Sequence, residues 1–111
     1  MPLAASEVRV SARVVAAEKA LDSAQRRKLD WWYRRLKGDV FAGDQIPKDR
    51  ILVALASRNG VPSALTNAWR FELPRAFRGI YTVQPASPQR PIVLVLEVLS
   101  HKDYDRLFGY R

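Results

Sequence analysis

The sequence predicts an α+β fold: two helices near the N-terminus packed on one face of a twisted, mainly antiparallel sheet, followed by a short C-terminal helix. Three observations carry this. Residues Trp69, Arg70, Phe71, Glu72 and Leu73 alternate strictly, which sends Trp69, Phe71 and Leu73 to one side of a strand and Arg70 and Glu72 to the other. Leu29, Trp32, Tyr33 and Leu36 recur at i, i+3, i+4 and i+7, the spacing of one helix face. Residues 91–100, PIVLVLEVLS, are nearly all apolar except Glu97 and read as a strand from the middle of a sheet.

The remaining elements follow in chain order. Residues 7–14 alternate polar with apolar and predict a half-buried strand with Val8, Val10, Ala12 and Val14 inward. Helical spacing begins at Val15 and continues through Ala17, Ala20 and Leu21. Asp22 with Gln25 then forms a capping-box pattern that starts a second helix, antiparallel to the first. Arg26, Arg27, Lys28, Arg34, Arg35 and Lys37 cover much of its polar side, and Gly38 supplies the stop. Such a face reads first as a solvated surface and second as a partner surface, with Trp31 beside the core stripe and available to another chain. Residues 41–48 read as a loop with Gly43 and Pro47, and Asp49 as the cap of a short helix with Ile51, Leu52 and Leu55 inward, ended by Asn59 and Gly60. A loop over 61–63 precedes the alternating strand. A turn over 74–76, a strand over 77–83 and a loop with Pro85, Pro88 and Pro91 then lead to the apolar strand, so that three successive strands pair antiparallel. The last helix is expected around 103–108.

Size and composition narrow the function classes. At 111 residues the chain reads as one domain over 1–111, with room for one core and none for a separate cofactor domain. The longest apolar run, 92–96, is far short of a membrane span, and the first ten residues lack the basic and apolar stretches of a secretory signal, so residence in the cytoplasm is expected, with no membrane partner. With no cysteine and a lone histidine outside any acidic cluster, the sequence offers neither thiolate chemistry nor a transition-metal site, and no cofactor is expected. The net charge of +8, carried by 19 basic against 11 acidic residues, attracts polyanions such as nucleic acid or an acidic protein. Fourteen of the basic residues are arginines, whose planar fork suits phosphate and carboxylate.

Proton-transfer chemistry gathers in the last third. His101, Lys102 and Tyr104 follow the apolar strand and place an imidazole, an amine and a phenol at its exit. Arg70 and Glu72 project from the side of the sheet away from the helices, and the short turn brings Arg78 to the strand beside them. Cations that hold a phosphate, together with groups that move protons, are what RNA cleavage by the 2′-hydroxyl requires. Each residue also has an ordinary role open to it: Arg78 paired with Glu72 or Glu97, His101 capping the strand end, Tyr104 packing its ring with the hydroxyl at the rim.

The segments Ile46-Pro47-Lys48, Asn67-Ala68-Trp69-Arg70-Phe71-Glu72-Leu73-Pro74, Phe77-Arg78-Gly79-Ile80-Tyr81-Thr82-Val83 and Val95-Leu96-Glu97-Val98-Leu99-Ser100-His101-Lys102-Asp103-Tyr104, with Leu107-Phe108-Gly109-Tyr110, resemble the RelE/ParE superfamily of type II toxin-antitoxin systems over roughly the last two thirds of the chain. The resemblance implies a RelE-like toxin, neutralised by a cognate acidic antitoxin that wraps it. It also implies an endoribonuclease that works without metal on mRNA, commonly on the ribosome, and so blocks translation. By similarity, Arg78 corresponds to the arginine that contacts the scissile phosphate, His101 and Lys102 to the basic pair closing the last strand, and Tyr104 to the tyrosine that orients substrate. Arg70, Lys48 and Arg75 are the expected substrate-binding cations. Glu72 departs from the pattern, standing where ribonuclease members carry a lysine; it either replaces that lysine as base or marks a chain that does not cleave. Lys102 keeps a charge without the fork of the arginine often found there. Two further readings therefore stand beside the ribonuclease: a ParE-like, non-enzymatic DNA gyrase inhibitor, and a non-toxic module of this fold that binds RNA or protein.

Overall fold

A computed structural model describes residues 3–51, 53–61, 65–85 and 90–109. Five strands form one sheet in the order β1-β5-β4-β3-β2: β1 Glu7–Val10, β2 Asp44–Gln45, β3 Trp69–Leu73, β4 Phe77–Pro85 and β5 Pro91–Leu99. The helices are α1 Ala12–Glu18, α2 Ser23–Gly38, α3 Val53–Arg58 and α4 His101–Phe108. The α+β class stands, and the three strands β3, β4 and β5 pair antiparallel in succession. The sheet is nevertheless mixed, because β1 runs parallel to β5 with Glu7 opposite Ile92 and Val10 opposite Val95.

Local chemistry explains each boundary. The expected strand over 7–14 stops at Val10 because the Ser11 hydroxyl accepts from the Val14 N–H at 3.3 Å and starts α1 there, so Ala12 and Val14 are helical. The capping box at the start of α2 is present in both directions: Asp22 accepts from the Gln25 N–H at 2.8 Å, and the Gln25 side chain accepts from the Asp22 N–H at 3.0 Å. Gly38 is the last residue of α2 rather than its stop; Asp39, extended at φ −155°, ends the helix. The loop over 41–48 contains β2, which pairs Asp44 with Arg70 and Gln45 with Trp69. Asp49 lies inside a 3-10 turn, Lys48–Arg50, and not at a helix cap, while Leu52, Pro62, Ser63 and Pro88 fall outside the described residues. The turn over 74–76 holds Arg75 and Ala76 at φ 64° and 60°, in the left-handed region.

Two apolar clusters sandwich the sheet. Leu29 and Leu36 of α2 and Val14 of α1 pack with Trp69, Phe71, Leu73, Tyr81, Val93 and Val95 on one face, where Trp32 stacks on Phe71 at 5.2 Å between ring centroids. On the other, Ile46, Leu55, Ala68, Ile80 and Tyr104 make a second cluster edged by Leu99, Leu107 and Phe108. Helices therefore cover both faces, not one. The apolar sides of α3 and α4 could not be left in water, and the sheet face carrying Ile80 offers them an apolar surface.

A β-bulge completes the frame. Ile80 pairs with Glu97 but Tyr81 pairs with Val95, so Leu96 is the extra residue on β5. Simple alternation would put Glu97 with Val93 and Val95 in the main core. The bulge turns Val98 into that core and sends Glu97 to the opposite face, where the Arg13 Nε donates to its carboxylate at 2.9 and 3.1 Å, Asn59 Nδ2 donates at 2.8 Å, and Arg58 Nε lies 3.4 Å away. Glu97 is 1% exposed and joins α1, α3 and β5 through its charge.

Candidate functional site

The expected cationic face is only partly open, since α3 and α4 occupy the area around Ile80. What remains exposed lies where β3 and β4 meet the start of α4. Arg78 is paired across the ladder with Glu72 on one side and Leu99 on the other. Two residues beyond Leu99, α4 begins: the Ser100 hydroxyl accepts from the Asp103 N–H at 3.2 Å, and its backbone carbonyl accepts from the Tyr104 N–H at 2.8 Å. His101 and Lys102 are thus the first helical turn, not the end of a strand. That turn fixes the direction of Tyr104, whose ring is buried against Ile80 and lies 4.6 Å from Phe108 between centroids.

Tyr104 is the hub. The Arg78 guanidinium sits 4.7 Å above its ring centroid, a cation-π contact that holds a partly buried arginine in place without neutralising it. Tyr104, first as a side-chain hydrogen-bond partner and then through its charge, raises the pKa of Arg70 against the opposing effect of burial, with Asp44 and Glu72 adding less. One phenol therefore acts on two guanidinium groups from neighbouring strands. Glu72 is exposed directly opposite Arg78. His101, exposed, has its Nε2 at 3.0 Å from Asp105 Oδ2, an i,i+4 pair along α4. Lys102 is exposed on the same turn.

Arg75 does not belong to this group. Its guanidinium pairs with Asp22 at the start of α2, on the face of the sheet that the N-terminal helices cover. The Gln25 N–H first, and Arg75 second, hold the Asp22 carboxyl below its ordinary pKa, so Arg75 supports a helix cap. Lys48 lies in the exposed 3-10 turn that follows β2 and Ile46. Arg78 forms no ion pair with Glu72 or Glu97 among the described residues; Glu97 is held by Arg13 and Arg58 instead.

Sequence reasoning missed Asp105 as the partner of His101, although the i,i+4 spacing was visible. It also missed the Arg13, Arg58 and Asn59 set around Glu97, which only the bulge creates. Among the described residues, no group of three or more His, Asp or Glu side chains is arranged to hold a metal ion, and no helix is long and apolar enough to cross a membrane. Comparisons with protein-family models, curated proteins and solved structures each find no match. Fold and site together define an α+β protein with a mixed five-stranded sheet and two arginines converging on one tyrosine.

Proposed function

We propose that this chain is a RelE-like toxin, an endoribonuclease that cuts mRNA on the ribosome in the cytoplasm and is held inactive by an acidic antitoxin. The observation that carries the reading is the convergence of Arg70 and Arg78 on Tyr104, beside Glu72 and the first turn of α4. The resemblance of the strand and C-terminal motifs and the +8 net charge support it further.

In this mechanism Arg78 and Arg70 hold the non-bridging oxygens of the scissile phosphate, with Lys102 adding charge from α4. The 2′-oxygen attacks phosphorus and the bond to the 5′-oxygen breaks, leaving a 2′,3′-cyclic phosphate and a 5′-hydroxyl. The proton leaves the 2′-hydroxyl and another reaches the 5′-oxygen; Glu72 and His101 are the groups that exchange them, and Asp105 orients the imidazole. Tyr104 touches the phosphate-binding guanidiniums and so positions them.

Purified protein added to translating ribosomes is expected to shorten mRNA, with the activity lost in Arg78→Ala and His101→Ala. Intact message at high protein concentration would overturn the ribonuclease reading. Glu72 favours a second one: an exposed carboxylate facing Arg78 repels phosphate and suits a non-enzymatic inhibitor of DNA gyrase or a non-toxic binding module. Growth arrest seen as DNA damage rather than halted translation identifies the former, and harmless overexpression the latter.

A further inference from the structure

The polar face of α2 is not uniform. Arg27, Trp31 and Arg34 fall at i, i+4 and i+7, one line along the helix, with the arginines about 10 Å apart along the axis and the indole between them. Both arginines are exposed, and neither has a hydrogen-bond or ion-pair partner among the described residues. Their neighbours differ: Arg26 caps the end of α1 through the Glu18 and Lys19 carbonyls, and Arg35 pairs with Asp39. Trp31 is 42% exposed yet held firmly, with Lys28 Nζ 3.9 Å over its ring and Trp32 edge-on at 4.9 Å and 85°.

This surface offers an aromatic ring among cations, with exposed Asp30 the one carboxylate of α2, and little else that is apolar. The other apolar residues of α2, Leu29 and Leu36, are buried, and Trp32 and Tyr33 pack on the core. A docking protein helix would need a contiguous apolar stripe, which α2 has already spent inward. We propose that this face of α2 docks single-stranded nucleic acid, with one base stacked on Trp31 and the flanking phosphates held by Arg27 and Arg34. This face is linked to the candidate site by one bond: the Trp32 Nε1–H donates to the Glu72 carbonyl at 3.0 Å, at the end of β3 beyond its pairing with β2. The docking surface does not depend on the candidate site cleaving anything.

The test is equilibrium binding of the full chain to oligouridylate and oligothymidylate of about twelve nucleotides, followed by anisotropy and by quenching of tryptophan fluorescence at several salt concentrations. Trp31→Ala is expected to weaken binding roughly 5- to 150-fold, while Trp31→Phe retains most of it. Arg27→Ala with Arg34→Ala should lower the slope of log K against log salt by about 0.7 for each phosphate no longer neutralised. A preference for the uridylate assigns the surface to RNA, and equal binding assigns it to either strand chemistry; both sustain the proposal. Affinity unchanged in Trp31→Ala overturns it, as does polyglutamate binding with the same dependence on Trp31 and at least the affinity of the oligonucleotides, which would make the partner an acidic peptide.

Discussion

Arg78 lies over the ring of Tyr104 with its guanidinium carbon 4.7 Å from the centroid, and the same tyrosine raises the pKa of Arg70. The pair can be separated by substitution. Tyr104→Phe keeps the ring, and so keeps Arg78 placed, but removes the hydroxyl that acts on Arg70; stability should fall by no more than about 1 kcal/mol. Tyr104→Ala removes the platform and leaves a cavity beside Ile80 and Phe108, at a cost of about 3–5 kcal/mol in urea denaturation. If the phosphate is bound as proposed, RNA cleavage should be reduced in Tyr104→Phe and lost in Arg78→Ala with the fold intact.

Glu97 is a buried charge whose partners come from two helices. Glu97→Ala leaves Arg13 and Arg58 without their counter-charge and should destabilise the chain by about 3 kcal/mol, the lower end for a broken buried pair, because both arginines keep access to solvent. Glu97→Gln should cost less, since the amide oxygen still accepts from Asn59. Urea midpoints of the two variants check the order.

Gly79 faces the main core where a Cβ would fall against Phe71 Cζ, well inside van der Waals contact. Gly79→Ala should therefore destabilise by at least about 1–3 kcal/mol through overpacking. Phe71→Leu in the same chain should recover part of that loss. A double-mutant cycle measured by denaturation reads the coupling, and strict additivity would contradict this close approach.

Burial pushes the Tyr81 phenol up to about 12 from its ordinary 10.0. Its hydroxyl donates to the Val40 carbonyl at 2.8 Å and accepts from the Gly43 N–H at 3.0 Å. The folded state holds this proton more tightly than the unfolded one, so the contribution to stability is complete below pH 10 and is lost as the pH rises through about 12. Tyr81→Phe should cost about 1–3 kcal/mol at neutral pH, by leaving the buried Val40 carbonyl unpaired. It should also flatten the alkaline decline of the denaturation midpoint.

Much of the fold was legible wherever periodicity and capping act locally. The alternation from Trp69 to Leu73 is the strand observed, the Asp22 and Gln25 box opens α2 in both directions, and Leu29 and Leu36 are inward. Reading failed where two local signals competed. The alternation after Val10 looked like more strand, yet Ser11 capped a helix; Ser100 did the same before His101 and Lys102. At the candidate site, the sequence named Arg70, Arg78 and Tyr104, but not that one tyrosine would act on both arginines. Arg75 looked equivalent to them and went to Asp22 instead, because the left-handed turn at Arg75 and Ala76 lies against the start of α2.

The sequence by itself determined the composition of the elements, the strongly positive charge and the inward stripe of α2, because these depend on residues a few positions apart. Tertiary structure decided the parallel partner of β1, the covering of the second sheet face by α3 and α4, and the bulge that takes Glu97 out of the main core. Those outcomes depend on segments about 85 residues apart competing to bury the same apolar surface, and no local pattern records which of them wins.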